Sequence, residues 1–292
     1  QWEPKDSIEM MDKLGIDIGC TSISEPATIP FKKKDAVKVA RKVNEFQAQL
    51  KKDYPNRFKS FALVPMPHVK ETIKEIKYAL DVLQLDGVGL FSNYGESFLG
   101  NDEFEDVMSI LNDRHAKVFI HPSSNTSKFK APQYVVADFI EEFTFNTTRA
   151  ASNLIFSGTL ERYPNIKFIL AHAGGTLPYL QWRIHNTLET QKYIAQDVKD
   201  RASSLIGNNK SELFKQVAKH PLRYIKMLNM YKDTLKRDKQ LSKTANDYIK
   251  TFYYDTGLST GEPTFKSLKE VTESSHILFG SDAFYAPDDW IA

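Results

Sequence analysis

The sequence has a single cysteine, Cys20, so no disulfide can close within the chain and a cysteine-rich zinc site is excluded. Cys20 sits in the apolar run Ile16–Ile23, where a small core residue is expected rather than a reactive thiol. Charge of one sign is also missing. The 39 basic and 37 acidic side chains leave a formal charge of +2, with no basic excess to grip a phosphate backbone, so nucleic acid is not an expected partner. No apolar run approaches the roughly 20 residues of a membrane-spanning helix, and no signal-peptide core opens the chain. No membrane association and a cytoplasmic location are the resulting expectations. Internal repeats and low-complexity tracts do not occur. What remains is 292 residues with 41% hydrophobic and 26% charged side chains, enough for a sizeable core and near the usual size of one (β/α)₈ barrel. A single domain over residues 1–292 is expected.

Short β-type runs alternate with longer helical patterns, which indicates βα units on a parallel sheet and hence the α/β class. The runs are Ile16–Ile23, Phe61–Pro65, Val88–Phe91, Val118–His121, Phe168–His172, Phe252–Asp255 and Ile277–Ser281. They are apolar almost throughout, as strands covered on both faces must be. Between them, Ala36–Lys52, Val69–Leu83 and Asp102–Asp113 are amphipathic. In the second, Val69, Ile73, Ile76, Leu80 and Leu83 recur at spacings of three and four and predict one buried face. The sequence opens on a helix-like segment, Glu3–Leu14, and ends shortly after Asp282. The expectation is therefore a TIM-type (β/α)₈ barrel shown without its first strand and its C-terminal helix. A stretch at about 184–250, rich in Lys, Gln and Asp, is read as a helical insertion.

Barrel enzymes build their sites at the carboxyl ends of the strands. Val118–Pro122 ends in His121, Phe168–Gly175 reaches His172 before a small-residue turn, and Ile277–Asp282 ends in Asp282. Each alone reads as an ordinary structural residue. Three polar residues at the same end of three apolar strands are harder to assign to packing, because buried polar groups are costly without partners. Imidazole and carboxylate suit zinc, manganese or iron, and a histidine nearby can move protons around neutral pH. His115 and His276 precede strands and belong to the opposite, stability face. His68 follows a strand in Pro65–His68, where the two prolines indicate a surface turn. Asp255 faces the active rim, where supporting another side chain or capping a turn is the expected role rather than ligation.

The segments Phe119–Pro122, Leu170–Leu180 and Leu278–Asp282 resemble the amidohydrolase-related branch of metal-dependent hydrolases. Within it they look like the aminocarboxymuconate-semialdehyde decarboxylase group, which includes 6-methylsalicylate and γ-resorcylate decarboxylases. Trp2–Asp17, Tyr54–Phe58 and Ser92–Gly100 also fit. The resemblance implies His121 and Asp282 as ligands of one divalent metal ion, Zn²⁺ or Mn²⁺, and His172 with Asp282 as catalytic residues. It implies Arg183 and Tyr285 on the substrate side, a small carboxylic acid as substrate, and a homodimer. The family's first strand carries a His-x-His pair that supplies two further ligands, and this sequence has no such pair. The implied activity is non-oxidative decarboxylation of a small aromatic or unsaturated acid. A metal-dependent hydrolase, lactonase or hydratase and a catalytically silent barrel stay open as alternatives.

Overall fold

The computed structural model describes residues 2–124, 132–135, 137–190, 218–219, 221–222, 241–286 and 291. Seven parallel strands form one sheet in chain order: β1 (Gly19–Thr21), β2 (Phe58–Ala62), β3 (Gly87–Phe91), β6 (Lys117–His121), β7 (Lys167–Leu170), β8 (Tyr253–Asp255) and β9 (Ile277–Leu278). A two-residue hairpin, β4 (Asn93–Tyr94) with β5 (Ser97–Phe98), stands outside it. Sequential order with parallel pairing requires a crossover between neighbours, and helices supply it. Among the described residues β9 forms no ladder with β1. This is the curled sheet of a (β/α) barrel, as the alternation of runs predicts.

The helices cover the sheet through faces set by their apolar spacing. In α2 (Lys33–Asp53), Ala36, Ala40, Asn44, Gln47 and Leu50 are buried at intervals of three and four. The helix α3 (Val69–Lys77) runs on as a π-helical turn over Tyr78–Val82. One core then joins Ile76 and Ala79 to Val88, Leu90, Val118, Ile120, Phe168 and Leu170. The helix α1 (Pro4–Lys13) is capped by Glu3 and Asp6, and its Met11 packs with Leu50 and Phe58. Further helices are α4 (Glu105–Asp113), α5 (Glu142–Phe156), α6 (Thr159–Arg162), α7 (Ala245–Ile249) and α8 (Glu262–Val271).

All seven expected strands form, with shifted ends. The first is trimmed to Gly19–Thr21, and the second begins at Phe58, before the predicted Phe61. Cys20 corrects an expectation: it is exposed. It stands on a strand paired only to β2 among the described residues, so apolar neighbours in sequence do not enclose it. The expected insertion boundary at 184 falls inside helical residues 177–190. Residues 241–250 carry α7, and most of the intervening stretch lies outside the described residues.

Candidate active site

Parallel pairing brings the carboxyl ends of β6, β7, β8 and β9 side by side, with Ile120 opposite Leu170, Leu170 opposite Tyr254, and Asp255 opposite Leu278. His121 is the last residue of β6, and His172 lies two residues past the end of β7. Their ring centroids lie 5.4 Å apart at 71°. The Nδ1 of His121 lies 2.7 Å from the Pro122 carbonyl, and the Nδ1 of His172 lies 2.9 Å from the Gly257 carbonyl. A carbonyl oxygen only accepts, so in each ring Nδ1 carries the proton and Nε2 is left with a lone pair. The backbone thus engages Nδ1 of each ring and leaves Nε2 for the site.

His121 sits among Phe91, Phe119 and Phe143, with centroids 6.3, 6.4 and 5.8 Å away. Burial lowers its pKa to about 4, and repulsion from His172 adds to the effect, against a smaller opposing pull from the Pro122 carbonyl. The ring is therefore neutral at pH 7.

Two carboxylates complete the rim. Asp255 Oδ1 accepts from the His172 N–H at 3.1 Å and the Gly257 N–H at 3.0 Å. Burial raises its pKa, with a smaller contribution from the Asp282 charge; His172 and the two backbone donors oppose this. Asp282 is likewise pushed up by burial and pulled down by His172. A methyl placed on Gly257 would meet Asp255 Oδ1 at 3.3 Å and the Asp282 Cβ at 3.4 Å, which shows how closely the three residues pack.

The loops that deliver these groups are strained. His172 and Ala173 have φ of 54° and 55°, Leu258 has 50° and Asp282 has 48°. Left-handed conformations at non-glycine residues cost roughly 1–3 kcal/mol each and cluster where geometry serves function. The turn after His172 closes through Gly175 (φ 63°), where an added Cβ would lie 2.0 Å from the Thr144 carbonyl oxygen, so only glycine fits.

The expected residues divide into two groups. His121, His172 and Asp282 come together with Asp255, which supports the His172 backbone as its position at a strand end suggested. Arg183 is exposed on helical residues 177–190, and Tyr285 is exposed in the turn after Asp282, donating its N–H to the Asp282 carbonyl. His68 stands just before α3 and makes no side-chain cap bond to it, and His276 donates Nδ1–H to the Phe252 carbonyl at the far end of the sheet. The sequence reading missed Glu25, Asn93 and Asn146, whose side chains hold the loop after His121. Glu25 lies in a loop, Asn93 in a two-residue strand and Asn146 inside α5, and no spacing in the sequence links the three.

Two imidazoles with Nε2 lone pairs and a nearby carboxylate fit a first-row divalent metal in donor chemistry. Among the described residues no three His, Cys, Asp or Glu side chains gather closely enough to hold an ion by themselves. The described residues thus supply part of a coordination set.

Residues 1–190 match the family described as amidohydrolase, and the chain belongs to it. Across 282 residues it is 32% identical to the 6-methylsalicylic acid decarboxylase acuB of Aspergillus aculeatus, covering 94% of this chain and 73% of that relative. It is 33% identical over 259 residues to the 6-methylsalicylic acid decarboxylase of Penicillium expansum, covering 88% of this chain and 66%, just under two thirds, of that relative. The fold matches that of 5-carboxyvanillate decarboxylase from Novosphingobium aromaticivorans, solved with manganese and 4-hydroxy-3-methoxy-5-nitrobenzoic acid. That match has a TM-score of 0.75 at 20% identity and covers 98% of this chain and 72% of the other.

Proposed function

We propose that this protein is a metal-dependent, non-oxidative decarboxylase of a small aromatic acid with a hydroxyl beside the carboxylate. The observation that carries the reading is the pair of backbone-locked imidazoles facing each other beside two half-buried carboxylates at the strand ends. The decarboxylases among the relatives support the choice of reaction and of substrate class.

His121 and Asp282 would hold a divalent metal, Zn²⁺ or Mn²⁺, which supplies Lewis acidity toward the substrate's oxygens. The phenyl rings of Phe91, Phe119 and Phe143 around His121 keep that side of the site apolar. Asp282 and His172 are the two groups at the strand ends placed to deliver a proton to the substrate. One of the two protonates the ring carbon that bears the carboxylate. The carbon–carbon bond then breaks, carbon dioxide leaves, and the bonding electrons return to the ring. A proton replaces the carboxylate, and water restores the acid. Asp255 holds the His172 backbone in its left-handed conformation throughout. Arg183 and Tyr285, both exposed, are assigned to the substrate's carboxylate and hydroxyl.

The test is carbon dioxide release from 6-methylsalicylate and 2,6-dihydroxybenzoate by protein loaded with Mn²⁺ or Zn²⁺. Turnover that disappears in His172→Asn is expected. Metal-loaded protein that releases no carbon dioxide but hydrolyses a lactone would overturn the reading.

A further inference from the structure

In the described start of the loop after His121, residues Pro122–Ser124, every backbone polar group is engaged. The His121 carbonyl accepts from the Ser92 N–H at 2.8 Å, and the Pro122 carbonyl accepts from His121 Nδ1. The Ser123 N–H donates to Ser92 Oγ at 3.1 Å, and the Ser123 carbonyl accepts from Asn146 Nδ2 at 2.7 Å. The Ser124 carbonyl accepts from Asn93 Nδ2 at 3.4 Å. The last donor, the Ser124 N–H, is shared by both carboxylate oxygens of Glu25 at 3.0 Å each. Glu25 also accepts from Ser123 Oγ at 2.8 Å and Ser124 Oγ at 2.7 Å.

Glu25 is the one charged member of this clamp, and it arrives from the loop after β1, on the far side of the sheet's order from β6. That loop is itself anchored, since buried Thr28 donates Oγ to the Val64 carbonyl beyond β2. A rigid line therefore runs from the end of β2 through Thr28 and Glu25 to Ser123 and Ser124. From there it reaches the peptide whose carbonyl fixes the His121 tautomer. Hydrogen bonds from neutral donors to a carboxylate are shorter and stronger than neutral pairs, which suits a contact that must hold a loop to tenths of an ångström.

We propose that Glu25 is a positioning residue that fixes the His121 ring by clamping Ser123 and Ser124, and so keeps the Nδ1–H to Pro122 carbonyl bond in register. The assignment rests on reading His121 as a site residue. Groups that orient a ligand or catalytic side chain typically cost about 10–100-fold in activity or metal affinity when removed.

The test pairs a tautomer measurement with turnover. In His-selectively ¹⁵N-labelled protein, long-range proton–nitrogen correlation at pH 7.5 reads each ring nitrogen, and His121→Gln assigns the signal. Wild type should show a protonated Nδ1 and an unprotonated Nε2. Glu25→Ala should move both nitrogens toward the average of two tautomers and lower kcat about 10–100-fold with little change in KM. Glu25→Gln keeps one acceptor oxygen and should fall between them. If Glu25→Ala fails to fold, Glu25→Gln and Ser124→Ala carry the test, each with a smaller shift in the same direction. A His121 ring unchanged in every folded variant overturns the clamp, even where stability drops. The two readings separate cleanly. A shifted ring in a protein without decarboxylase activity sinks the proposed function and leaves the clamp standing. Full turnover with an unmoved ring sinks the clamp alone.

Discussion

At the amino ends of the strands, Asp86 accepts from the Ser60 N–H at 2.9 Å and pairs with Lys51 at 2.7 Å and Lys59 at 3.8 Å. At the carboxyl ends, Asp255 and Asp282 have no ion pair among the described residues, and burial pushes both up. The histidines differ in the same way. His276 uses the same Nδ1-to-carbonyl bond as the site pair, yet its ring is stacked on Tyr253 with centroids 4.1 Å apart. His121 and His172 meet edge to face, leaving their Nε2 atoms to the site. The same residue types are neutralised at one end and held poised at the other. Stability and function are thus divided between the two faces of one sheet.

The sharpest way to break this comparison is His172→Asn. It removes a proton-transfer group while keeping a polar side chain of similar length. The loss of kcat should reach about 10²–10⁴-fold, as for general acid–base groups, with unfolding little changed. Retained turnover would move the chemistry elsewhere.

Next in size is a pH effect on folding that belongs to His121. Its pKa is near 6.5 unfolded and about 4 folded, so between these values the unfolded chain binds more protons. The stability due to the neutral ring is fully present above pH 6.5 and is lost progressively as pH falls through that window. The loss reaches about 3 kcal/mol below pH 4. Asp255 and Asp282 act with the opposite sign, because their raised pKa values make the folded state the stronger proton binder. Urea unfolding of chelator-treated wild type against His121→Gln cancels those two contributions. The difference should shrink by up to that amount between pH 7 and pH 4, and parallel curves would contradict the burial described for this ring.

Gly280→Ala probes the carboxyl end without replacing a site side chain. A Cβ there would lie 2.8 Å from the Asp255 Cγ and from the Gly257 nitrogen, so the Asp255 carboxylate must shift. Because Asp255 holds the His172 N–H, kcat should fall about 10-fold, and a parallel fall in thermal stability is expected. Unaltered kcat would show that the His172 loop holds itself.

The strands were legible because parallel strands buried on both faces leave uninterrupted apolar runs, and His121, His172 and Asp282 stood out as polar residues ending them. Asp255 was legible in place and in role. Glu25 was not, because its partners lie 98 and 99 residues away and a glutamate in a polar loop looks the same whether solvated or bonded. Cys20 was misread for a related reason: an apolar run shows that residues can be buried, while the neighbouring strand decides whether they are. The β4–β5 hairpin left no period to read, since two-residue strands are shorter than one alternation.

Asp86→Asn is the counterpart at the amino ends, and the smallest effect. Asparagine keeps an oxygen for the Ser60 N–H but loses the charge that Lys51 approaches at 2.7 Å, in a place where the aspartate is only about one-fifth exposed. Hydrogen bonds to charged groups contribute about 1.5–3 kcal/mol, and partial exposure of both partners trims that below the lower end. Thermal or urea unfolding should therefore register a loss of roughly 1 kcal/mol. Turnover should stay within about twofold of wild type, because the nearest site groups lie at the opposite ends of the strands. A drop in kcat comparable to that of Gly280→Ala, with stability unchanged, would mean that charge at the amino ends reaches the site through the barrel interior. The division of labour between the two faces would then fail at the point where it is most exposed to test.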